Sequence, residues 1–199
     1  MSNRLQALLR EIRTLEKDVQ DELHRVQEKV TFTIKEGRVS FPKDIIKFHR
    51  SLRKNIIRYL YESNFLFILS APVIYSLVVP AVILDAFCRF YQMVCFPIYR
   101  IPKVERGDYI RMDRHKLAYL NGIEKVNCEY CAYFNGILAF AREIASRTEQ
   151  YWCPIRHALA VKGSHARYLQ FIEYGEAKSY RAQLNRLRLE LQNEKKLSL

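Results

Sequence analysis

Four residues in the second half of the chain have the donor types of a metal site. Cys128 and Cys131 are spaced C-x2-C, and Cys153 and His157 are spaced C-x3-H. Thiolate and imidazole together form the ligand set of a tetrahedral Cys3His zinc centre, and the ligand types put zinc ahead of an iron–sulfur cluster. C-x2-C sets two sulfurs one helical turn apart. The step from Cys153 to His157 does the same on a new helix opened by Pro154. Cys153 would then be the N-cap, where a helix terminus favours thiolate. Helix rise imposes a condition: in one straight helix Cys131 and Cys153 stand roughly 30 Å apart. Convergence requires the chain to turn back, at Asn135-Gly136 or at the capping-box pattern Ser146–Glu149, or a second subunit to supply half the ligands. Otherwise the cysteines are small residues packed on helix faces.

The element that must position the first two cysteines is a helical pattern running from Asp113-Arg114-His115 to about Ser146. Asn121, Glu124, Cys128, Cys131, Asn135 and Arg142 fall on one stripe of it, either a solvated face or the wall of a polar pocket. Ala158–Tyr174 reads as further helix. A last helix, Glu176–Lys196, carries Tyr180, Leu184, Leu187 and Leu191 at steps of 4, 3 and 4, a coiled-coil-like seam.

The stretch that organises the rest is Phe65–Leu84, 20 residues without a formal charge in a chain of net charge +12. That length matches a helix crossing a hydrocarbon core of roughly 30 Å. The flanks do not match a single crossing. Residues 1–63 hold 14 Lys+Arg and 9 Asp+Glu, and residues 85–199 hold 19 and 12, so both sides are basic. Basic flanks stay cytoplasmic, which favours entry and exit by one face. Pro80 offers the break, with Phe65–Val79 and Ala81–Pro97 as the arms of a re-entrant hairpin. A single span and a buried soluble helix are the competing readings. Asp85 and Arg89, at i and i+4 in this region, form a candidate intramembrane ion pair, or else lie near the interface with Arg89 snorkelling.

Upstream, residues 3–30 give an amphipathic helix with the stripe Leu5, Leu8, Ile12, Leu15, Val19, Leu23, Val26, Val30. It is either an oligomerising coiled coil or a helix packed on its own chain. Thr31–Phe41 switches to a period of two around Lys35-Glu36-Gly37-Arg38, a short β-hairpin. Phe41–Leu60 reads as a basic amphipathic helix. Lys43, Lys47, Arg50, Arg53, Lys54 and Arg58 surround an apolar face, the pattern of a helix lying among anionic headgroups. Nucleic acid, the other partner of a basic helix, is not expected beside so apolar a segment.

The expected fold is mainly α: long helices, a small β-hairpin and a Pro-broken apolar membrane hairpin. Three units follow: 1–63, the membrane-inserted 64–103, and a helical Cys/His unit 104–199. The early residues have no secretory h-region, and five cysteines do not form an even disulfide framework. The expected place is the cytoplasmic face of a membrane, both termini on that side, with lipid as partner and homo-oligomers formed through the terminal helices. The chain carries no G-x-G-x-x-G, P-loop, H-E-x-x-H or G-x-S-x-G. Whether it is an enzyme stays open. The expected role is an anchored scaffold with a Cys3His metal site. The alternative is a membrane-bound metal- or iron–sulfur-dependent enzyme acting on a redox or lipid substrate.

Overall fold

The structure is a computed structural model that describes residues 3–28, 33–35 and 38–197. It is predominantly helical. In order come α1 (Asn3–Glu28), β1 (Thr33–Lys35), β2 (Arg38–Ser40), α2 (Lys43–Ser51), α3 (Ile56–Glu62), α4 (Phe65–Ser76), α5 (Val78–Tyr99), α6 (Arg106–Tyr109), α7 (Gly122–Trp152) and α8 (Tyr180–Leu197), with short 3-10 turns at Arg114–Lys116 and Ala166–Gln170. The two strands pair antiparallel, Ile34 opposite Val39. Val30, Thr31, Phe32 and the turn residues Glu36 and Gly37, also part of the expected hairpin, lie outside the described residues.

The spine is α7, which packs against α5, α6 and α8. At 31 residues it is about 46 Å long. Its start is fixed by a capping box: the Asn121 side chain accepts from Glu124 N–H, and the Glu124 carboxylate accepts from Asn121 N–H. The expected start at Asp113 is displaced, because Asp113 precedes only a 3-10 turn. Nor does α7 break at either expected point. Ser146 donates to Glu143 O inside the helix. Gly136 serves a close approach: a Cβ there would stand 2.8 Å from Tyr109 O and 2.9 Å from an Ile110 side-chain carbon. The core is Ile137, Phe140 and Ile144 of α7 with Phe96, Ile101, Val104, Ile110 and Leu191. Each such side chain contributes about 1.5–3 kcal/mol on burial.

Three other expectations are corrected. The basic helix Phe41–Leu60 is two helices, because Asn55 caps a new one by accepting from Ile57 N–H. Ala158–Tyr174 is largely irregular; Ile155 and Ile172 form a lone parallel bridge, and helical turns are confined to Ala166–Gln170. The seam of α8 is used within the chain, where Leu184, Leu187 and Leu191 are all buried.

The apolar run does not fold back. The helix interruption falls at Leu77, whose backbone stays right-handed helical at φ −66°, ψ −12°. Pro80 lies in the first turn of α5, where its missing N–H costs little. Contacts with α7 advance in one direction along both helical segments. Tyr130 donates to Ile74 O at 2.8 Å, Tyr133 to Asp85 at 3.1 Å, Tyr91 and Thr148 lie 3.2 Å apart, and the Tyr99 ring meets Tyr151 and Trp152. So α4 and α5 form one 35-residue apolar helical run, Phe65–Tyr99, parallel to α7.

Candidate functional site

The side of α5 that meets α7 is read off every third or fourth residue. Ala81, Asp85, Gln92 and Phe96 are buried, with Cys88 and Tyr91 half-buried between them. Two of these contacts are polar and specific. Asp85, 7% exposed, receives Arg106 Nη2 at 2.7 Å and Arg106 Nε at 3.1 Å, besides the Tyr133 hydroxyl. Burial pushes the Asp85 carboxyl up, and the Arg106 guanidinium and Tyr133 outweigh it, holding it below its ordinary value. Gln92 clips the following loop, accepting from Val104 N–H at 3.0 Å. The expected partner of Asp85, Arg89, is exposed and makes no ion pair with it; the pair forms with Arg106 because α6 folds back over α5.

The opposite side of the run is apolar and open. Phe65, Leu66, Leu69 and Val73 on α4, and Val79, Phe87, Phe90, Met93 and Ile98 on α5, are all well exposed, Phe87 by 68%. In the most apolar 18-residue window only 6% of the residues are buried. An uncovered ridge of this size is far beyond the scattered apolar residues of an ordinary surface. Where α4 passes the start of α7, the two helices and α3 leave an open groove of about 470 Å³, lined among others by Tyr59, Phe67, Ala71, Ile74, Ile123 and Tyr130.

The four expected metal ligands are not brought together in the single chain. Cys128 and Cys131 sit in the first third of an unbroken α7. Cys153 is the C-cap of that helix, not an N-cap, and Pro154 continues as non-helical chain past His157. The separation is that of a straight helix, roughly 30 Å. Among the described residues no group of three or more His, Cys, Asp or Glu side chains is placed to hold a metal. The expected polar stripe divides by role. Asn121 and Glu124 cap α7, Asn135 donates to Cys131 O, and Arg142 donates to Gly163 O at 2.9 Å, tying down the irregular segment.

One charged cluster was not legible in the sequence. Arg167 Nη2 donates to Glu143 Oε1 at 3.0 Å and to Glu194 Oε2 at 2.9 Å, while Arg147 Nε reaches the same Glu143 at 2.7 Å. This network joins α7, α8 and the 3-10 turn Ala166–Gln170. Burial pushes the Glu143 carboxyl up, but Arg147 and Arg167 hold it below its ordinary range. No sequence spacing connects residues 143, 167 and 194. The i, i+4 step from Glu143 to Arg147 was its only visible sign.

No known protein family, curated protein or solved structure matches the chain.

Proposed function

We propose that the chain is a monotopic membrane-surface protein, in which the exposed ridge of α4 and α5 beds into one leaflet and α7 lies over it on the watery side. The observation that carries this reading is the exposure of the apolar run Phe65–Tyr99: α4 buries no residue, and α5 is apolar and open on one face, polar and ion-paired on the other. Lipid supplies what water does not, an apolar cover for Phe65, Leu69, Phe87 and Phe90. A full crossing fits poorly. From Tyr75 to Tyr99 the run is flanked by α7, which carries Glu124, Lys125, Glu129, Arg142 and Glu143, and charges at bilayer depth are costly. The length of α4 alone, 12 residues or about 18 Å, falls short of a roughly 30 Å core. The basic residues Lys43, Lys47, Arg50, Arg53, Lys54 and Arg58, all exposed, support a negatively charged and therefore cytoplasmic leaflet, with both ends of the chain on that side. The role is that of an anchored helical scaffold.

The test is flotation of the purified chain with neutral phosphatidylcholine vesicles. The wild type should float. The double variant Phe87→Glu, Phe90→Glu should stay in the dense fraction with an unchanged helical circular dichroism spectrum. Equal flotation of both, or a soluble dimer that ignores vesicles, would overturn the reading and make the ridge a protein interface.

A further inference from the structure

At the start of α7 a cleft of about 380 Å³ is lined by Arg50, Arg53, Lys54, Asn55, Ile56, Asn121 and Gly122, three cations and no acid. Neither Arg50 nor Arg53 has an acidic partner among the described residues; Lys54 is shared with Glu62 at 2.9 Å. Asn121 is 2% exposed. Its side-chain oxygen is used in the cap, yet its Nδ2 is buried with no hydrogen-bond partner. A buried amide donor without an acceptor costs about 1–3 kcal/mol, which an entering oxygen atom would recover. The positive end of a 31-residue helix points the same way. Glu124 offsets part of that charge, but its carboxylate is taken by Asn121 N–H and does not line the cleft.

The cleft does not stand alone. It ends at Ile56 and Gly122, and the apolar groove begins at Tyr59 and Ile123, the next turn of α3 and the next residue of α7. Ile56 Cδ1 would lie 3.6 Å from a Cβ built on Gly122, so the two helix starts rest on each other. A basic cleft running into an apolar groove has the two-part character of one phospholipid molecule.

We propose that this is a specific site for an anionic phospholipid, its phosphate held by Arg50, Arg53 and Asn121 Nδ2 and one acyl chain lying in the groove beside Phe67, Ala71 and Ile74. The identity of the ligand as a lipid rests on the membrane-surface reading; the phosphate contact rests on the cleft alone.

The experiment titrates three probes into the full chain in detergent and follows the Asn121 side-chain amide by NMR: inorganic phosphate, a short-chain phosphatidic acid below its micelle concentration, and the matching phosphatidylcholine. Phosphatidic acid should bind saturably and at least about tenfold more tightly than either other probe, the effect of one charge-assisted hydrogen bond or a buried chain. Arg53→Gln and Asn121→Ser should each weaken it about tenfold. Serine keeps a cap oxygen and takes away the amide NH2, so it spares the fold, and its binding is read from Gly122 N–H. Ala71→Phe, which fills the groove, should weaken phosphatidic acid and leave inorganic phosphate unchanged. Phosphate binding as tightly as phosphatidic acid would overturn the lipid and leave a soluble-phosphate site. No saturable binding of either, or wild-type binding in both cleft variants, would overturn the site altogether. Flotation with neutral vesicles is indifferent to all of these, so loss of the site and loss of the membrane reading are separable.

Discussion

Asp85 sits in an otherwise apolar helix, and its two partners come from elsewhere, Arg106 of α6 and Tyr133 of α7. It therefore acts as a register pin for α5. Asp85→Ala leaves Arg106 without its anion and Tyr133 without its acceptor. Arg106 is more than a third exposed, so the loss is smaller than for a sealed pair, about 2–3 kcal/mol. Thermal melts of Asp85→Ala and Arg106→Ala, with the double variant, should show a clear coupling term. Glu143, like Asp85, contributes to the pH dependence. Its carboxyl is held below its ordinary range when folded, so its contribution is complete above the unfolded pKa and disappears as pH falls through the lower, folded one. Melting temperature should fall on acidification through and below the ordinary carboxylate range. Glu143→Gln should be about 2–4 kcal/mol less stable at neutral pH, with a flatter acid limb. A full acid limb in that variant would assign the loss to other carboxylates.

Among the elements, α7 was the one read least well from its residues. Its apolar and polar stripes were legible, and so was its existence. Its start was misplaced, since Asp113 and Asn121 are both plausible caps and only Asn121 has a Glu three residues on that closes the box. Gly136 was read as a hinge because glycine marks both breaks and close approaches, and only the neighbouring Ile110 backbone tells them apart. Gly136→Ala should cost about 1–3 kcal/mol through overpacking against α6 and Ile110, despite alanine's better helix propensity. A gain in melting temperature would show that residues 109–110 can shift aside. The unbroken α7 also separates the cysteines, so Cys153→Ser, at an exposed C-cap, should leave melting temperature and metal content unchanged, and a chelator should do nothing. Loss of both with Cys153→Ser would mean that two chains pool their ligands. In α5 the apolar run was plain in sequence, but the face that meets α7 was not, because Asp85 and Gln92 find their partners at separations no periodicity encodes.

For the whole molecule, the exposed stripe of α1, with Leu8, Ile12, Leu15 and Val19 all uncovered, contrasts with the spent seam of α8. The α8 seam is already filled, so α1 is the helix with an open apolar stripe to offer for assembly. Deleting residues 1–28 should then lower the mass seen by light scattering in detergent while leaving flotation with neutral vesicles intact. Unchanged mass would mean that α1 does not assemble copies.

The parallel arrangement of α5 and α7 has a consequence for synthesis. Every partner that satisfies the inner side of α5 is encoded after it: Val104 and Arg106 first, then Tyr133, Phe140 and Thr148. The last of α7, Trp152, follows Tyr99 by 53 residues. At about 5–20 residues per second the ribosome needs roughly 3–11 s to deliver it. Until then the nascent chain presents an apolar rod whose inner side lacks its α7 cover, which a membrane or a chaperone must shelter.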